Sequence, residues 1–278
     1  PKLKNKIFIT GSSGFVGRNL VKYLDPIYII EKYFRNSLIK LDHEIIIHLA
    51  GMAHDLKYVT SSAEYYDVNT QLTKRIYDAF LTSNAKVFIT LSSVKAVADK
   101  VEGELNEDVT PNPITHYGKS KLLAEQYILS KIVPEGKRVY ILRPCMIHGP
   151  GNKGNLNLLY KIVSKGIPWP LGSFENKRSF CSIDNILFII GELICRDDIP
   201  SGIYNVADDE ALSTNELIKL ISKSMDKELT PKLCPRRAGD IPQLIASISQ
   251  IERELGWKPK RSLKEMIDSA WQAEAGNS

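Results

Sequence analysis

Residues 6–24, KIFITGSSGFVGRNLVKYL, decide how this chain is read. KIFIT (6–10) is a β-branched and aromatic run of the kind that makes a short buried strand. Apolar residues then fall at 15, 16, 20, 21 and 24, which is helical spacing. Between strand and helix stand Gly11, Gly14 and Gly17, three residues apart. A tight strand-to-helix turn needs residues without a Cβ. A pyrophosphate approached by such a backbone rests on the free N–H groups of the helix N-terminus. The segment therefore predicts a dinucleotide-binding turn at the start of an α/β domain.

The same alternation continues outward. PIYII (26–30), HEIIIHLAG (43–51), KVFITLSS (86–93) and RVYILRP (138–144) read as strands. Residues 62–84 and 117–131 read as helices between them. Strands alternating with helices predict a parallel sheet covered on both faces. The pattern loosens after about residue 150, in HGPGNKGNLN and GIPWPLGSF. The expected organisation is a Rossmann-type doubly wound domain over 1–150 and a smaller α/β substrate lobe over 151–278. A segment at about 180–205 is expected to return to the first domain.

Composition narrows the function. The 278 residues carry a net charge of +5, with 43% hydrophobic and 25% charged residues. No block of like charge reaches five residues, so no nucleic-acid partner is indicated. The four cysteines form no CxxC pair and share no metal-ligand spacing with the five histidines, as free thiols in a reducing compartment would. ILFIIGELIC is about half the length of a membrane span. The apolar run in PKLKNKIFIT meets GSSG too early for a signal sequence. A cytoplasmic protein without a membrane span is expected.

THYGKSKLLAEQ (115–126) carries the chemistry. Tyr117 and Lys121 are just over one helical turn apart, which places them on one face with Cβ atoms about 5–6 Å apart. A phenol titrates near 10, too high for acid/base work at neutral pH. A neighbouring ammonium pulls it down. Spacing alone leaves open a tuned acid/base and an ordinary surface pair.

Three motifs in order narrow that choice. The GxxGxxG spacing, LSS (91–93) at a strand end and the Tyr117–Lys121 pair resemble the short-chain dehydrogenase/reductase superfamily. HLAG, YGKSK, RP…HGPG and RELGW resemble its extended branch, the NAD-dependent epimerases and dehydratases of nucleotide sugars, and among them the UDP-galactose (UDP-glucose) 4-epimerases. The resemblance implies that Tyr117 takes the proton from a sugar hydroxyl as hydride leaves the same carbon. Ser93 would bind that oxygen, with Ser92 as the alternative, and Lys121 would hold the cofactor ribose. Gly11, Ser13, Gly14, Phe15, Val16 and Gly17 would surround the pyrophosphate. Leu49, Ala50 and Gly51 would pass the adenosine half, and Leu91 and Ser92 would border the cofactor. Asn69 matches a family position near the cofactor, with a role in bracing its helix equally open. Pro144, Met146 and Ile147 would pass under the nicotinamide amide. Arg178, Arg237 and Asp240 match diphosphate- and ribose-binding positions, and Asn155 and Leu156 match positions near the nucleotide. His148, where the family has tyrosine, is expected to be a packed loop histidine.

Two departures sharpen the expectation. Only EKYFRNSLIKLD (31–42) separates the second and third strands, where the family fits a helix and a further strand. The sheet is expected to lack a strand there. Glu31 lies twenty residues beyond Gly11, as the acidic residue for a ribose 2′-hydroxyl does, which favours NAD. Lys32 and Arg35 beside it would suit the 2′-phosphate of NADP. Val94 and Lys95 stand where the 4,6-dehydratases carry Asp-Glu, so water elimination lacks its acid and base. The leading expectation is 4-epimerisation of a UDP-hexose or UDP-N-acetylhexosamine through a transient 4-keto sugar and bound NAD. The alternatives are an NAD(P)H-dependent reductase of a UDP-4-keto-6-deoxy sugar and a non-catalytic NAD(P)-binding regulator. A homodimer through the two long helices is the expected assembly.

Overall fold

A computed structural model describes residues 5–34, 37, 39, 41–52, 61–152, 155–167, 176–227 and 243–275. KIFIT forms β1 (Lys6–Thr10), and the glycine turn leads into α1 (Phe15–Leu24). β2 (Ile29–Lys32) and β3 (Ile45–His48) follow. α2 (Ser62–Tyr65) runs through a π-helical stretch (Tyr66–Gln71) into α3 (Leu72–Thr82). β4 (Val87–Leu91), a 3₁₀ turn (Val94–Ala96), β5 (Glu104–Leu105), α4 (His116–Leu129) and β6 (Arg138–Pro144) complete the first half.

These strands pair in parallel in the order β2-β1-β3-β4-β6, and β9 (Gly202–Val206) closes the far edge. The period of two in each strand explains the covering layers. Ile7, Ile9, Ile45, Ile47, Val87, Ile89, Tyr140 and Leu142 face one side, with Leu20 and Leu24 of α1 and Ile186 and Ile190 of α6 (Ile183–Cys195). Phe8, Ile46, Phe88, Val139 and Ile141 face the other, with Ile76, Tyr77 and Phe80 of α3 and Ile128 of α4. Strands buried on both faces read as continuous apolar runs, which is why they were legible.

Chain order reverses between β1 and β3, which lie side by side with β2 outside them. In such sheets ligands bind at that reversal, beyond the strands' C-terminal ends. Thr10 pairs with His48 there. Among the described residues the chain passes from β2 to β3 with no element between, as the short 31–42 segment leads one to expect, and β2 is the edge of the sheet they form. β2 itself begins at Ile29, later than PIYII suggested. The amides of Ile27 and Tyr28 both bond the Leu24 carbonyl, so the turn that ends α1 consumes 26–28.

The remaining chain forms a second layer. β7 (Met146–His148), α5 (Asn155–Ser164), β8 (Lys177–Ser182), β10 (Ala211–Leu212), α7 (Thr214–Ser224), β11 (Gln243–Ala246), α8 (Ser249–Leu255) and α9 (Leu263–Ala275) follow in chain order around α6 and β9. β8 pairs with β7, β10 and β11, and β11 reaches β5. Tyr160 and Val163 of α5, Leu217 and Ile221 of α7 and Leu263 and Ile267 of α9 make a separate apolar cluster around Phe180. The architecture is a Rossmann-type parallel sheet with a C-terminal α/β addition. No helix among the described residues is long and apolar enough to cross a membrane.

Candidate active site

The glycine turn is built for close backbone approach. Gly11 has φ +71°, and a Cβ there would lie 2.5 Å from the Ala50 amide nitrogen. A Cβ on Gly17 would lie 2.1 Å from the Gly11 carbonyl oxygen, so α1 packs directly on the turn. Gly14 caps α1 without a side-chain hydrogen bond, and the first turn holds no acidic residue. Those amides and the helix dipole suit a pyrophosphate. Ser13 and Phe15 flank them, and Phe15 and Val16 pack partly on the core.

A directional chain of hydrogen bonds pins the two strand ends to the π-helical stretch. Thr73 Oγ1 donates to the Asn69 carbonyl at 2.8 Å, so it accepts from His48 Nε2 at 2.8 Å. His48 Nδ1 then accepts from Thr10 Oγ1 at 2.7 Å, and Thr10 Oγ1 accepts the Ala50 amide at 3.1 Å. The partners thus assign a neutral Nε2–H tautomer. Burial, and then the Lys121 charge, pull the His48 pKa down to about 3.

Asn69 extends this frame to α4. Its side chain accepts from the Met52 amide (2.8 Å) and donates to the Met52 carbonyl (3.2 Å) and to Ser120 Oγ (3.0 Å). Thr70 Oγ1 donates to the Ser120 carbonyl at 2.8 Å. The serine of YGKSK is therefore a latch, and the π-helical register, a frequent mark of functional sites, brings Asn69 to it. The glycine of the same motif allows a second approach. A Cβ on Gly118 would lie 2.3 Å from the Lys95 carbonyl oxygen. Thr115 caps α4 by accepting the Gly118 amide at 3.0 Å.

This packing joins Tyr117 to Ser93, whose hydroxyl hydrogen-bonds the phenol. Tyr65 stands edge-on to Tyr117, ring centroids 6.2 Å apart. Burial raises the phenol pKa and outweighs the Ser93 hydrogen bond, which lowers it. Lys121 itself is buried, and its Nζ donates to the Leu91 carbonyl at 3.0 Å. A Cβ on Gly51 would lie 2.9 Å from that Nζ, so the ammonium points into the space left by the missing side chain. Burial pulls its pKa down to about 8 against the opposing pull of Glu125. Ser92 turns its hydroxyl toward α4. Its hydroxyl donates to buried Glu125, which Arg143 holds from Nη2 at 2.7 Å and Nε at 3.0 Å.

Other expected positions are dispersed. Glu31 on the edge strand accepts from or pairs with His43 at 3.1 Å. Pro144 ends β6, and Met146 and Ile147 lie in β7 beside β8. Arg178 in β8 is desolvated, which lowers its pKa, and it lies within electrostatic reach of Lys95. Lys95, two residues past Ser93, pairs with Asp99 at 3.7 Å. Lys95 had no positive role on sequence grounds, though a cation so close to Ser93 was visible. Leu156 packs in the C-terminal apolar cluster. His148 bonds Asp208 at 3.1 Å inside the fold, the packed role expected of it. Arg237, Asp240, Arg35 and the side chain of Asn155 lie outside the described residues.

Residues 31–207 match the NAD dependent epimerase/dehydratase family. A UDP-glucose 4-epimerase of Vibrio cholerae is 30% identical, over 98% of this chain and 96% of its own length. The chain belongs to the NAD-dependent epimerase/dehydratase family. A GDP-6-deoxy-D-mannose reductase of Pseudomonas aeruginosa is 25% identical over 95% of each chain. The solved structure of a Thermotoga maritima UDP-glucose 4-epimerase with UDP-glucose superposes with a TM-score of 0.84, covering 98% of this chain and 99% of that one at 22% identity. That structural likeness shows the fold, and the reversal of strand order with its glycine turn fits NAD.

Proposed function

We propose that this family member is a nucleotide-sugar 4-epimerase acting on a UDP-hexose or a UDP-N-acetylhexosamine. The hydrogen-bonded Ser93–Tyr117 pair beside buried Lys121 carries this reading. The full-length likeness to a protein named UDP-glucose 4-epimerase supports it. NAD held at the strand-order reversal would supply the hydride acceptor and a positive charge that favours the ionised phenol. Tyr117 takes the proton of the sugar 4-hydroxyl and returns it after the 4-keto sugar has turned over. Ser93 holds the same oxygen throughout. Lys121 directs its remaining N–H donors to the ribose beside Gly51.

Gly11, Ser13, Gly14, Phe15, Val16 and Gly17 cradle the pyrophosphate, and Leu49 to Gly51, Asn69, Leu91 and Ser92 line the crevice. Pro144, Met146 and Ile147 support the nicotinamide end, and Glu31 takes the ribose hydroxyls. Arg178, Arg237 and Asp240 anchor the diphosphate and ribose of the substrate, with Asn155 and Leu156 at the nucleotide. We assign residues 1–150 to cofactor binding and 151–278 to substrate binding, with about 180–205 returning to the first part. The packing of α6 on α1 and of β9 on β6 supports that return. Copies of the chain pair through α2–α3 and α4, where Leu123 and Leu129 are exposed.

A second reading is one-way reduction of a nucleotide-linked 4-keto-6-deoxy sugar. The relative named GDP-6-deoxy-D-mannose reductase favours it, as does the engagement of Glu31 with His43 beside exposed Lys32, which weakens selection of NAD. Incubation with UDP-hexoses and UDP-N-acetylhexosamines and only catalytic NAD separates the two. The epimerase reading expects interconversion of C4 epimers. Failure on every pair, with stoichiometric NAD(P)H consumption on a 4-keto-6-deoxy sugar, establishes the reductase.

A further inference from the structure

Glu125 lies one helical turn beyond Lys121, is 2% exposed, and has no part in the proton transfer described above. Buried carboxylates are retained only with partners, and this one has two, Arg143 and Ser92. Arg143 grips it from Nε and Nη2, and Ser92 donates its hydroxyl. The Arg143 and Glu125 side chains are 3% and 2% exposed, so the pair is shielded from salt and water. A structural ion pair would need nothing more. The geometry adds a third charge. Lys121, Glu125, Ser92, Asn69 and Thr90 line one small, partly open cavity of about 10 Å³, with Ile128 and Ile141 on its apolar side, so the lysine and the glutamate border the same space. A space of that size holds about one water.

Among the described residues, Glu125 is the counter-charge of Lys121. Tyr117 approaches from the same helix, Asn69 from the π-helical stretch and His48 from β3, and none of them carries a negative charge. Tyr65 of α2 lies behind Tyr117. Arg143 of β6 neutralises Glu125 in part, and Glu107, past β5, lies within electrostatic reach of Arg143. Burial works against the Lys121 charge and Glu125 works for it.

We propose that Glu125 is a positioning residue that keeps Lys121 an ammonium, so that α4 carries the acid/base tyrosine, its lysine and the lysine's counter-charge at 117, 121 and 125. The functional half of this inference rests on the proposed epimerase reading, while the coupling itself is a property of the cofactor-free chain.

The test follows the titration of Lys121 by carbon-13 NMR of Cε-labelled lysines in cofactor-free protein, with the signal assigned by its loss in Lys121→Met. Glu125→Gln removes the carboxylate but strands Arg143. Glu125→Gln/Arg143→Met removes the pair together and covers the case in which the single variant does not fold. The wild-type midpoint is expected near pH 8. It should fall by about one to two units in the single variant, and by about half a unit or more in the double variant, where loss of the arginine offsets part of the change. The alkaline limb of turnover should move down with it. A role confined to packing would lower the melting temperature and scale turnover, and would leave both midpoints in place. Unmoved midpoints in both variants overturn the proposal. Midpoints that move in a protein that turns over no UDP-sugar support the coupling and strike the epimerase reading instead.

Discussion

Two buried polar clusters flank the end of Lys121, and they differ in kind. The cluster around His48 is neutral, and each group in it donates in one direction, from the Ala50 amide through Thr10, His48 and Thr73 to the Asn69 carbonyl. The cluster around Glu125 is charged, with Lys121 and Arg143 on either side of one carboxylate. A satisfied neutral chain fixes where groups sit and is indifferent to salt and to mild changes of pH. A buried charged cluster fixes which protons are held, at a desolvation cost. One cluster therefore sets the geometry of the crevice and the other its protonation.

The largest expected effect lies between them. Tyr117→Phe removes the proton acceptor and little packing, so turnover should fall by about 10²–10⁴-fold while calorimetry shows NAD affinity nearly unchanged. Retention of a tenth of the wild-type rate would sink the acid/base assignment.

Acid should break the neutral cluster. Histidine in an unfolded chain titrates near 6.5, and His48 in the fold near 3. Its stabilising contribution is complete above pH 6.5 and drains away as pH falls toward 3, by roughly 3 kcal/mol at pH 4. Denaturant unfolding of wild type and His48→Leu should show that slope in the first and not in the second. The variant should also be less stable at pH 7 by about 1–3 kcal/mol, the cost of orphaned hydroxyls. Parallel pH slopes would mean that His48 carries its proton in the fold.

The charged cluster should respond in the same sense, with stability rising with pH, but in an alkaline window. Lys121 titrates near 8 in the fold and 10.5 outside it, so below pH 8 folding confines a charge at a cost of roughly 3 kcal/mol. That cost disappears as pH rises from 8 to 10.5. Lys121→Met should thus be more stable than wild type at pH 7 by about 2 kcal/mol, after the loss of its bond to Leu91 at about 1 kcal/mol. The gain should fade by pH 10, and turnover should collapse. A variant less stable at pH 7 would show that Lys121 is held comfortably.

The smallest effect separates neighbouring serines. Ser92→Ala should cost about 1–2 kcal/mol of stability by releasing Glu125 from one donor. Its turnover should exceed that of Ser93→Ala by at least tenfold. Equal losses would return the catalytic serine to an open choice.

These contrasts also show what the sequence could reveal. Gly11, Gly14 and Gly17 were legible because strand, turn and helix are adjacent in the chain, and the period of the apolar residues names each element. Tyr117 and Lys121 were legible because one helical turn joins them. Asn69 meeting Ser120 was not, since 51 residues separate them and the π-helical stretch that aims Asn69 has no periodic signature. Glu125 looked like any polar position on an amphipathic helix until Arg143 and Ser92 closed on it. Glu31 was read for its distance from the glycine turn, and its pairing with His43 across the shortened edge could come only from the fold. The Arg237 and Asp240 reading stands on resemblance alone.

The central claim is that C4 of a UDP-sugar is oxidised and reduced again within one turnover, without exchange with water. A UDP-hexose or UDP-N-acetylhexosamine deuterated at C4, incubated in ordinary water with catalytic NAD, tests it directly. The account predicts the C4 epimer with deuterium still on C4, seen by NMR and mass spectrometry. An epimer that has gained a solvent proton at C4 would contradict it.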